Sequence, residues 1–454
     1  MEAFENFLIN VSDLVWGAPL LILLVGTGIY LTFRLGLIQF RFTGYSLKLA
    51  FSRNQDKHSK GDISHFQSLM TAMAGTVGTG NIVGVATAVV LGGPGAIFWM
   101  WLSAIFGMAT KYAEAVLAVK YRVQDADGQM SGGPMYYLER GLKQKWLGIL
   151  FALFGAIAAF GIGNMVQSNA VSGVVADTFS IPTWITGIAL TIFTALVILG
   201  GIKSIGKVTA FIVPFMAAFY LIAGLFVMIL NFELVPQAFA TIFSLAFGNE
   251  AIAGGVIGAI IRYGVARGVF SNEAGLGSAP IAAAAAKTDL PGRQGLVSMT
   301  QVLIDTLIIC SITGVTIVMS GLYEVGNLTG GALTSASFGY FLGDMGNLVV
   351  TIGLIFFAAS TIIGWSYYGE KCFQYLVGNK KLNTFYRLLF VVAIMVGSVA
   401  SLDVVWLFSD VMNGLMAFPN LIGLLGLSGV VAYETKRIKE KIKEEKAEEK
   451  RKIA

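Results

Sequence analysis

Charged residues are scarce in this sequence, making up 13% of its 454 residues, whereas 56% of the residues are hydrophobic. A soluble chain of this length would need many more charged side chains to cover its surface. Several stretches of about twenty residues carry almost no charge, and that length crosses the hydrocarbon core of a bilayer. With a mean hydropathy of +0.75, the sequence predicts an all-α, polytopic membrane protein. Its basic residues cluster in loops and in the tail, so they give no reason to expect a nucleic-acid partner.

Histidine and cysteine are also rare, with two of each in the chain. Cys310 and Cys372 lie in or at the end of apolar stretches and predict neither a disulfide framework nor a metal site. His58 and His65 lie at the start of one predicted helix, without an accompanying nucleophile. Residues 1–16 contain acids but no Lys or Arg, unlike a secretory signal peptide. We therefore expect no enzyme and no resident cofactor.

The distribution of Lys and Arg among the loops predicts the orientation in the membrane. We predict eleven membrane spans, at about 13–33, 63–91, 96–119, 147–176, 184–200, 208–230, 255–287, 296–321, 346–376, 386–401 and 405–433. Connections on one side are basic, whereas four on the other side contain no Lys or Arg: 177–183, 231–236, 322–345 and 402–404. Basic loops stay in the cytoplasm. We therefore expect a multi-pass cell-membrane protein with its N-terminus outside and its C-terminus inside.

Two segments beside these spans leave alternatives open. Residues 237–254 form either a surface helix on the outer face, which we favour, or the start of the span that contains Arg262 and Arg267. Residues 434–454 form a mixed-charge helix or a disordered end, and we expect a solvated tail rather than one bound to anionic lipid.

The stretch "MAGTVGTGNIVG", residues 73–84, interrupts a predicted membrane helix with four glycines, two threonines and an asparagine. Each glycine costs a helix about 1 kcal/mol, and polar groups are costly in hydrocarbon. Close helix packing alone would not require Thr76, Thr79 and Asn81 in the same few residues. We therefore predict a helix break in a protein-lined cavity, where freed N–H groups hold a carboxylate and freed carbonyls hold a cation.

A second, similar stretch indicates an internal repeat. "VGTGN" at 77–81 resembles "AGLGS" at 274–278, and each precedes a Gly/Pro turn, at 92–95 and 291–295. The offset is near 200 residues and relates two sets of five spans with opposite topology, a pattern that points to a transporter's midplane site. The predicted divisions are 1–62 (an additional N-terminal helix and a basic loop), 63–231 (the first repeat), 232–433 (the inverted second repeat) and 434–454 (the charged tail).

Several motifs resemble one transporter family. "AMAGTVGTGN" at 72–81 is similar to the first core helix of neurotransmitter:sodium symporters such as the bacterial leucine transporter. "GGPGAIFWMWLSAIFG" at 92–107 resembles the signature of the alanine or glycine:cation symporter family, and "GLIQFR" at 36–41, "GQMSGGPMYYLERGL" at 128–142 and "RGVFSNEAGLGSAPIAAAAA" at 267–286 are similar to its pattern. The resemblance implies a leucine-transporter-type, five-plus-five inverted-repeat fold with one additional N-terminal helix. It also implies uptake of alanine or glycine with Na⁺ or, in some members, with protons.

The resemblance also implies which residues contact the amino acid. The backbone around Gly75, Thr79 and Gly80 should face the substrate carboxylate. Asn81 matches an asparagine that contacts a sodium ion near that carboxylate, or it caps the broken helix instead. The matching wall of the second half is expected from three residues: Phe270, Ser271 and Leu276.

The third helix of each half is expected to complete the site. Gln167 lies level with the break, where its amide could bind the substrate, although such amides also bond between helices. Trp365 would close the side-chain end of the pocket, which suits alanine or glycine, although it could also be packed core.

Sodium is expected between the third helix of the second half and the first break. Ser360 and Thr361 carry hydroxyl oxygens, which hard cations prefer, and the resemblance places the ion between them and the carbonyls of Thr76 and Val77. The alternative is that both hydroxyls bond back to their own helix.

Acids within the spans have open roles. Glu273 is either functional or part of a structural ion pair with Arg267 or a lysine. Lys111 and Glu114, three residues apart, can pair with each other. Two further acids could serve as proton or gating groups or could bond to neighbouring hydroxyls: Asp305 and Asp410.

The expected function is secondary active symport of small neutral amino acids with Na⁺ by alternating access. Proton coupling is the main alternative. A channel is a further alternative, distinguished by a continuous polar path. The sequence leaves the oligomeric state open.

Overall fold

The computed structural model describes residues 2–52, 59–125, 128–247, 256–378, 380–400 and 403–453. The first part of the chain forms α1 (Glu2–Val15), α2 (Ala18–Arg34), α3 (Ile38–Ala50), α4 (His65–Thr76), α5 (Val85–Gly92), α6 (Gly95–Lys120), β1 (Val123–Gln124), β2 (Met130–Ser131), α7 (Pro134–Tyr136), α8 (Lys145–Phe160), α9 (Val166–Phe179), α10 (Thr183–Ile198), α11 (Gly201–Leu230) and α12 (Leu234–Phe247). The second part forms α13 (Val256–Asn272), α14 (Pro280–Ala283), α15 (Pro291–Val302), α16 (Ser311–Ser320), α17 (Gly330–Leu342), α18 (Asp344–Val377), α19 (Lys380–Val399), α20 (Asp403–Gly426) and α21 (Ser428–Ile453). Wider π-helical turns lie at Gly80–Gly84, Tyr137–Gly141, Gly161–Met165 and Leu303–Cys310, and a 3₁₀ turn at Leu322–Val325.

The predicted membrane spans correspond to helices of the structure. By length and composition, seven helices in the described part of the chain can cross a membrane, or nine if two bent helix pairs each count as one span. Eleven is reached only by adding the 16-residue helix α10 and the interrupted segment from α13 to α14. The multi-pass helical architecture is confirmed, and the count of eleven stays a prediction.

The first predicted helix break lies where the glycines and threonines cluster. Helix α4 ends at Thr76, and the helix that resumes at Gly80 is inclined to it by 53°. Asn81 caps the interruption, since its Oδ1 accepts a hydrogen bond from the Gly78 N–H at 2.9 Å. The capping role that the sequence left open for Asn81 is therefore present.

A second break separates α13 from α14. Glu273, Gly275 and Gly277 all have positive φ angles, of 57°, 95° and 87°. Glycine adopts this conformation without a steric penalty, so "EAGLG" suits a segment that leaves the helical path. Such a segment exposes N–H and C=O groups that need partners inside the protein.

One Lys–Glu pair on α6 supplies those partners. The Glu114 carboxylate accepts hydrogen bonds from the N–H groups of Gly275 and Gly277, both at 3.1 Å. The Lys111 ammonium lies 3.7 Å from Glu114 and donates to the Glu273 carbonyl at 3.0 Å. Both side chains are at most 1% exposed. The pair expected from the i,i+3 spacing is confirmed, and it holds both kinds of freed backbone group at the second break.

The start of the first broken helix meets the end of the second. The Asp62 N–H donates to the Ala285 carbonyl, and the Lys287 N–H donates to the Ile63 carbonyl, each at 2.8 Å. The Arg122 guanidinium crosses this junction and donates to four backbone carbonyls, those of Lys60, Ala284, Ala286 and Thr288. Arg122 therefore ties together the segments that begin the first broken helix and end the second.

The β1–β2 hairpin is anchored to helix α18 beside this junction. The Lys371 ammonium lies 2.9 Å from the Asp125 carboxylate and 2.9 Å from the Ser131 hydroxyl. Burial raises the pKa of Asp125, but the hydrogen bond and the charge of Lys371 oppose it and hold that pKa below its ordinary value. The Asp125 carboxylate therefore stays ionised at neutral pH.

Several helices lie wholly or mostly outside the predicted spans, including α3, α12 and α21. The first basic connection contains α3, which the sequence analysis did not identify. Residues 234–247 form α12, which at about 21 Å is too short to span, while residues 248–254 of the expected surface helix lie outside the described residues.

The tail helix α21 is packed rather than fully solvated, so that part of the expectation is wrong. Ile438 and Ile442 are buried on one face of this helix. Glu434 of the same helix pairs with Lys120 at 2.7 Å. Burying one apolar face and one ion pair explains why the mixed-charge sequence lies against the protein.

We expect Glu114→Gln to lower the free energy of unfolding by about 3–5 kcal/mol, because it leaves the buried Lys111 charge unpaired. Lys111→Met in the same chain should restore part of that loss. Thermal unfolding of the detergent-solubilised single and double variants measures both effects.

The exposed pair Lys441–Glu444 is a matched control, because it has the same i,i+3 spacing and a 3.1 Å separation. Lys441→Met should leave the melting temperature almost unchanged, because an exposed ion pair contributes little to stability. Equal losses in the single and double α6 variants would contradict a coupled pair.

Candidate substrate and ion site

The first break, the Gly161–Met165 turn and helices α13, α18 and α20 enclose a small cavity. It is lined by Gly75, Thr76, Gly78, Thr79, Gly80, Ile162, Gln167, Phe270, Glu273, Thr361, Trp365 and Asn413. Its volume is ≈ 10 Å³, about the space of one water molecule. Eight of the residues predicted for substrate or sodium therefore share one cavity, which admits an amino acid only when lining side chains move.

Gln167 connects the third helix of the first half to the break. Its Oε1 accepts from the Thr79 N–H at 3.3 Å, and its Nε2 donates to the Thr79 hydroxyl at 3.0 Å. The same Nε2 donates to the Ile162 carbonyl at 2.9 Å. The structure therefore shows the interhelical bonding that the sequence kept as an alternative, and Gln167 lines the cavity while it braces the break.

Trp365 closes another wall of the cavity. Its Nε1 donates to the Gly75 carbonyl at 3.2 Å. The indole packs so closely on the Gly161–Met165 turn that a Cβ at Gly163 would lie 2.3 Å from the Trp365 Cβ. The indole therefore occupies space that a large substrate side chain would need.

Oxygen atoms of α18 and the first break lie close together. The Thr361 hydroxyl is 3.4 Å from the Val77 carbonyl, and the Ser360 hydroxyl is 3.5 Å from the Ala74 carbonyl. Both hydroxyls also donate to the Phe357 carbonyl at 2.9 Å, so the back-bonding alternative is present as well. Carbonyl and hydroxyl oxygens are the ligands that hard cations prefer.

The Thr76 hydroxyl is bonded within the protein. It accepts from the Gln301 amide at 3.0 Å and donates to carbonyls of its own helix. The Ser360 hydroxyl contacts the carbonyl of Ala74, which the sequence analysis did not name. The role of the Thr76 carbonyl as a sodium ligand stays a prediction.

Asp305 joins the two breaks behind the cavity. Its carboxylate accepts from the Asn81 amide at 2.8 Å and from the Ser271 hydroxyl at 2.9 Å. It also accepts from the Thr306 hydroxyl at 2.7 Å. Asp305 is therefore bonded to neighbouring hydroxyls, one of the two roles considered for it. Asn81 and Ser271 do not line the cavity, although residues next to them in the chain do.

The second break contributes less side-chain surface than expected. Leu276 is fully buried outside the cavity lining. Glu273 lines the cavity, and its carboxylate accepts from the Ser278 hydroxyl at 2.5 Å. Asp410 and Arg267 line a separate cavity of ≈ 440 Å³ that shares Thr79 and Phe270 with the first.

Two lining residues were missed by the sequence analysis. Ile162 lies in the π-helical turn that "GIGN" introduces, a Gly-x-Gly pattern that could have indicated a third interruption. Asn413 is one of two amides within the apolar helix α20, and intramembrane amides are potential interaction sites.

Comparisons with known proteins agree with this architecture. Residues 1–452 match the model of the sodium:alanine symporter family. The chain is 60% identical to the sodium/alanine symporter AgcS of Methanococcus maripaludis, over 96% of this chain and 98% of that protein. It is 36% identical to the putative sodium/proton-dependent alanine carrier protein YrbD of Bacillus subtilis, over 93% and 90%.

A solved structure supports the fold independently of sequence. The crystal structure of MhsT in complex with L-phenylalanine is similar, with a TM-score of 0.55 and 13% identity, over 84% of this chain and 98% of that one. This likeness confirms the leucine-transporter-type fold. Together with the full-length family match, it establishes that the chain belongs to the sodium:alanine symporter family, whose members are multi-pass membrane transporters and not enzymes.

Proposed function

We propose that this protein takes up small neutral amino acids, alanine and glycine, together with Na⁺ by alternating access. The observation that carries the proposal is the cavity at the first break, where residues of both halves of the chain meet around a backbone interruption. A secondary transporter binds its substrate at such interruptions near the bilayer midplane.

The dimensions of the cavity support a small substrate. Trp365 and Phe270 are its bulkiest lining side chains, and the turn at Gly163 packs directly against Trp365. A methyl group or a hydrogen needs little displacement of these rings, whereas a branched or aromatic side chain would need a large one. Alanine and glycine therefore fit this site better than leucine or phenylalanine.

The oxygen atoms of Ala74, Val77, Phe357, Ser360 and Thr361 support Na⁺ as the coupling ion. These ligands carry no net charge, so they suit a monovalent cation that must bind and leave in each cycle. Proton coupling is the second candidate, favoured by the name of the YrbD relative and by the acids Glu273 and Asp305 beside the site.

The orientation follows from the charge of the loops. We infer that the N-terminus lies outside and the tail helix α21 lies in the cytoplasm, because connections on the side of Arg122 are basic. The two five-helix repeats, 63–231 and 232–433, would then rock against each other around the cavity.

In proteoliposomes, an inward Na⁺ gradient should drive accumulation of labelled alanine and glycine. Thr361→Ala removes a ligand oxygen and should raise the Na⁺ concentration for half-maximal uptake by about tenfold or more. Ser366→Ala is the matched control, because its hydroxyl is on the same helix but donates only to the Ile363 carbonyl at 2.7 Å. Accumulation driven by a proton gradient without Na⁺ would contradict sodium coupling, and the absence of accumulation would contradict the substrate.

Cysteine labelling tests the orientation, because both native cysteines are buried. A membrane-impermeant maleimide should label Val325→Cys in intact cells, since Val325 is 64% exposed in the 322–345 connection. Lys441→Cys on α21 should react only after permeabilisation. The reverse pattern would invert the proposed topology.

A further inference from the structure

Asn413 is the unusual polar residue of the substrate cavity. It lies within helix α20, is 1% exposed and lines the cavity. Neither its Nδ2 nor its Oδ1 has a hydrogen-bond partner among the residues that the structure describes. An amide offers two donors and an acceptor, so both ends of this side chain remain available to bind a molecule in the cavity.

The other polar side chains at this level already have partners. Gln167 bonds at both ends of its amide, to Thr79 and Ile162. Thr361 donates to the Phe357 carbonyl, and Trp365 donates to the Gly75 carbonyl. These residues shape the cavity, but their strongest hydrogen bonds stay within the protein.

An unpaired buried amide is costly for stability. Burying a donor or acceptor without a partner loses its bonds to water, whereas an apolar residue of the same shape at that position would be neutral or stabilising. A membrane helix such as α20 would be more stable with Leu at position 413, so the amide needs a role that the protein alone does not supply.

We propose that Asn413 binds the transported amino acid directly, with Nδ2 donating to its carboxylate and Oδ1 accepting from its ammonium group. This assignment rests on the proposed function. The charged groups of an α-amino acid are attached to one carbon, so a single amide can face both. A sodium ion would engage only Oδ1 and leave Nδ2 unpaired, so a zwitterion satisfies the side chain better than a cation.

The test is equilibrium binding of labelled alanine to the purified full-length protein in Na⁺, alongside thermal unfolding of the ligand-free protein. Asn413→Leu should weaken alanine binding by at least about tenfold, because the substrate loses its partners at a desolvated site. The melting temperature without alanine should stay the same or rise, because the variant removes an unpaired amide.

Asn169→Leu is the control variant. The Asn169 amide donates to the Gly397 and Ala400 carbonyls and lies outside the cavity lining. Its replacement should lower the melting temperature without changing the affinity for alanine. A fall in stability for Asn413→Leu like that of Asn169→Leu would assign Asn413 a structural role and overturn the proposal.

A second variant separates the two ends of the substrate. Asn413→Asp removes the donor and adds a negative charge, so it should weaken binding of alanine more than binding of alaninamide, which has no carboxylate. Equal effects on the two ligands, or wild-type affinity in Asn413→Leu, would overturn the proposal while leaving the proposed function intact. If the wild-type protein binds no amino acid at all, the proposed function itself fails.

Discussion

The structure depends on satisfying backbone groups that two helix breaks release inside a low-dielectric environment. Regular helices bond their backbone N–H and C=O groups internally, and at a break some of these groups lose their partners. At the first break, the side chains of Asn81 and Gln167 accept hydrogen bonds from the freed N–H groups. At the second break, Glu114 accepts a hydrogen bond from a freed N–H group, and Lys111 donates one to a freed carbonyl. Each interruption is therefore paired with polar groups placed to compensate it.

These compensating groups lie mostly on other helices, so positioning the site and packing the fold are the same physical problem. Gln167 fixes the third helix of the first half against the first break, and Glu114 fixes α6 against the second. The carbonyls of Ala74 and Val77 instead face the hydroxyls of α18. The freed carbonyls of the first break are thus left facing the hydroxyls of α18 once the N–H groups have been paired.

Sequence reasoning predicted the features that local chemistry determines. Clusters of glycine and threonine identified the first break, and the similar "AGLGS" stretch identified the second. Two of the ambiguous side chains, Asn81 and Asp305, have both a structural and a functional interpretation because an amide or a carboxylate makes the same bonds in either role. Helix α3 and the buried face of α21 were missed, because their burial depends on contacts with residues far away in the sequence, which a local pattern does not reveal.

Asn413 shows why composition alone could not complete the site. An asparagine in an apolar helix is compatible with an interhelical bond, a cap or a ligand, and only the positions of its neighbours separate these roles. The surrounding residues have paired with one another, and within the described part of the chain this amide has no hydrogen-bond partner. Stability alone would favour an apolar side chain here, so an unpaired amide in the cavity marks a position where binding outweighs stability.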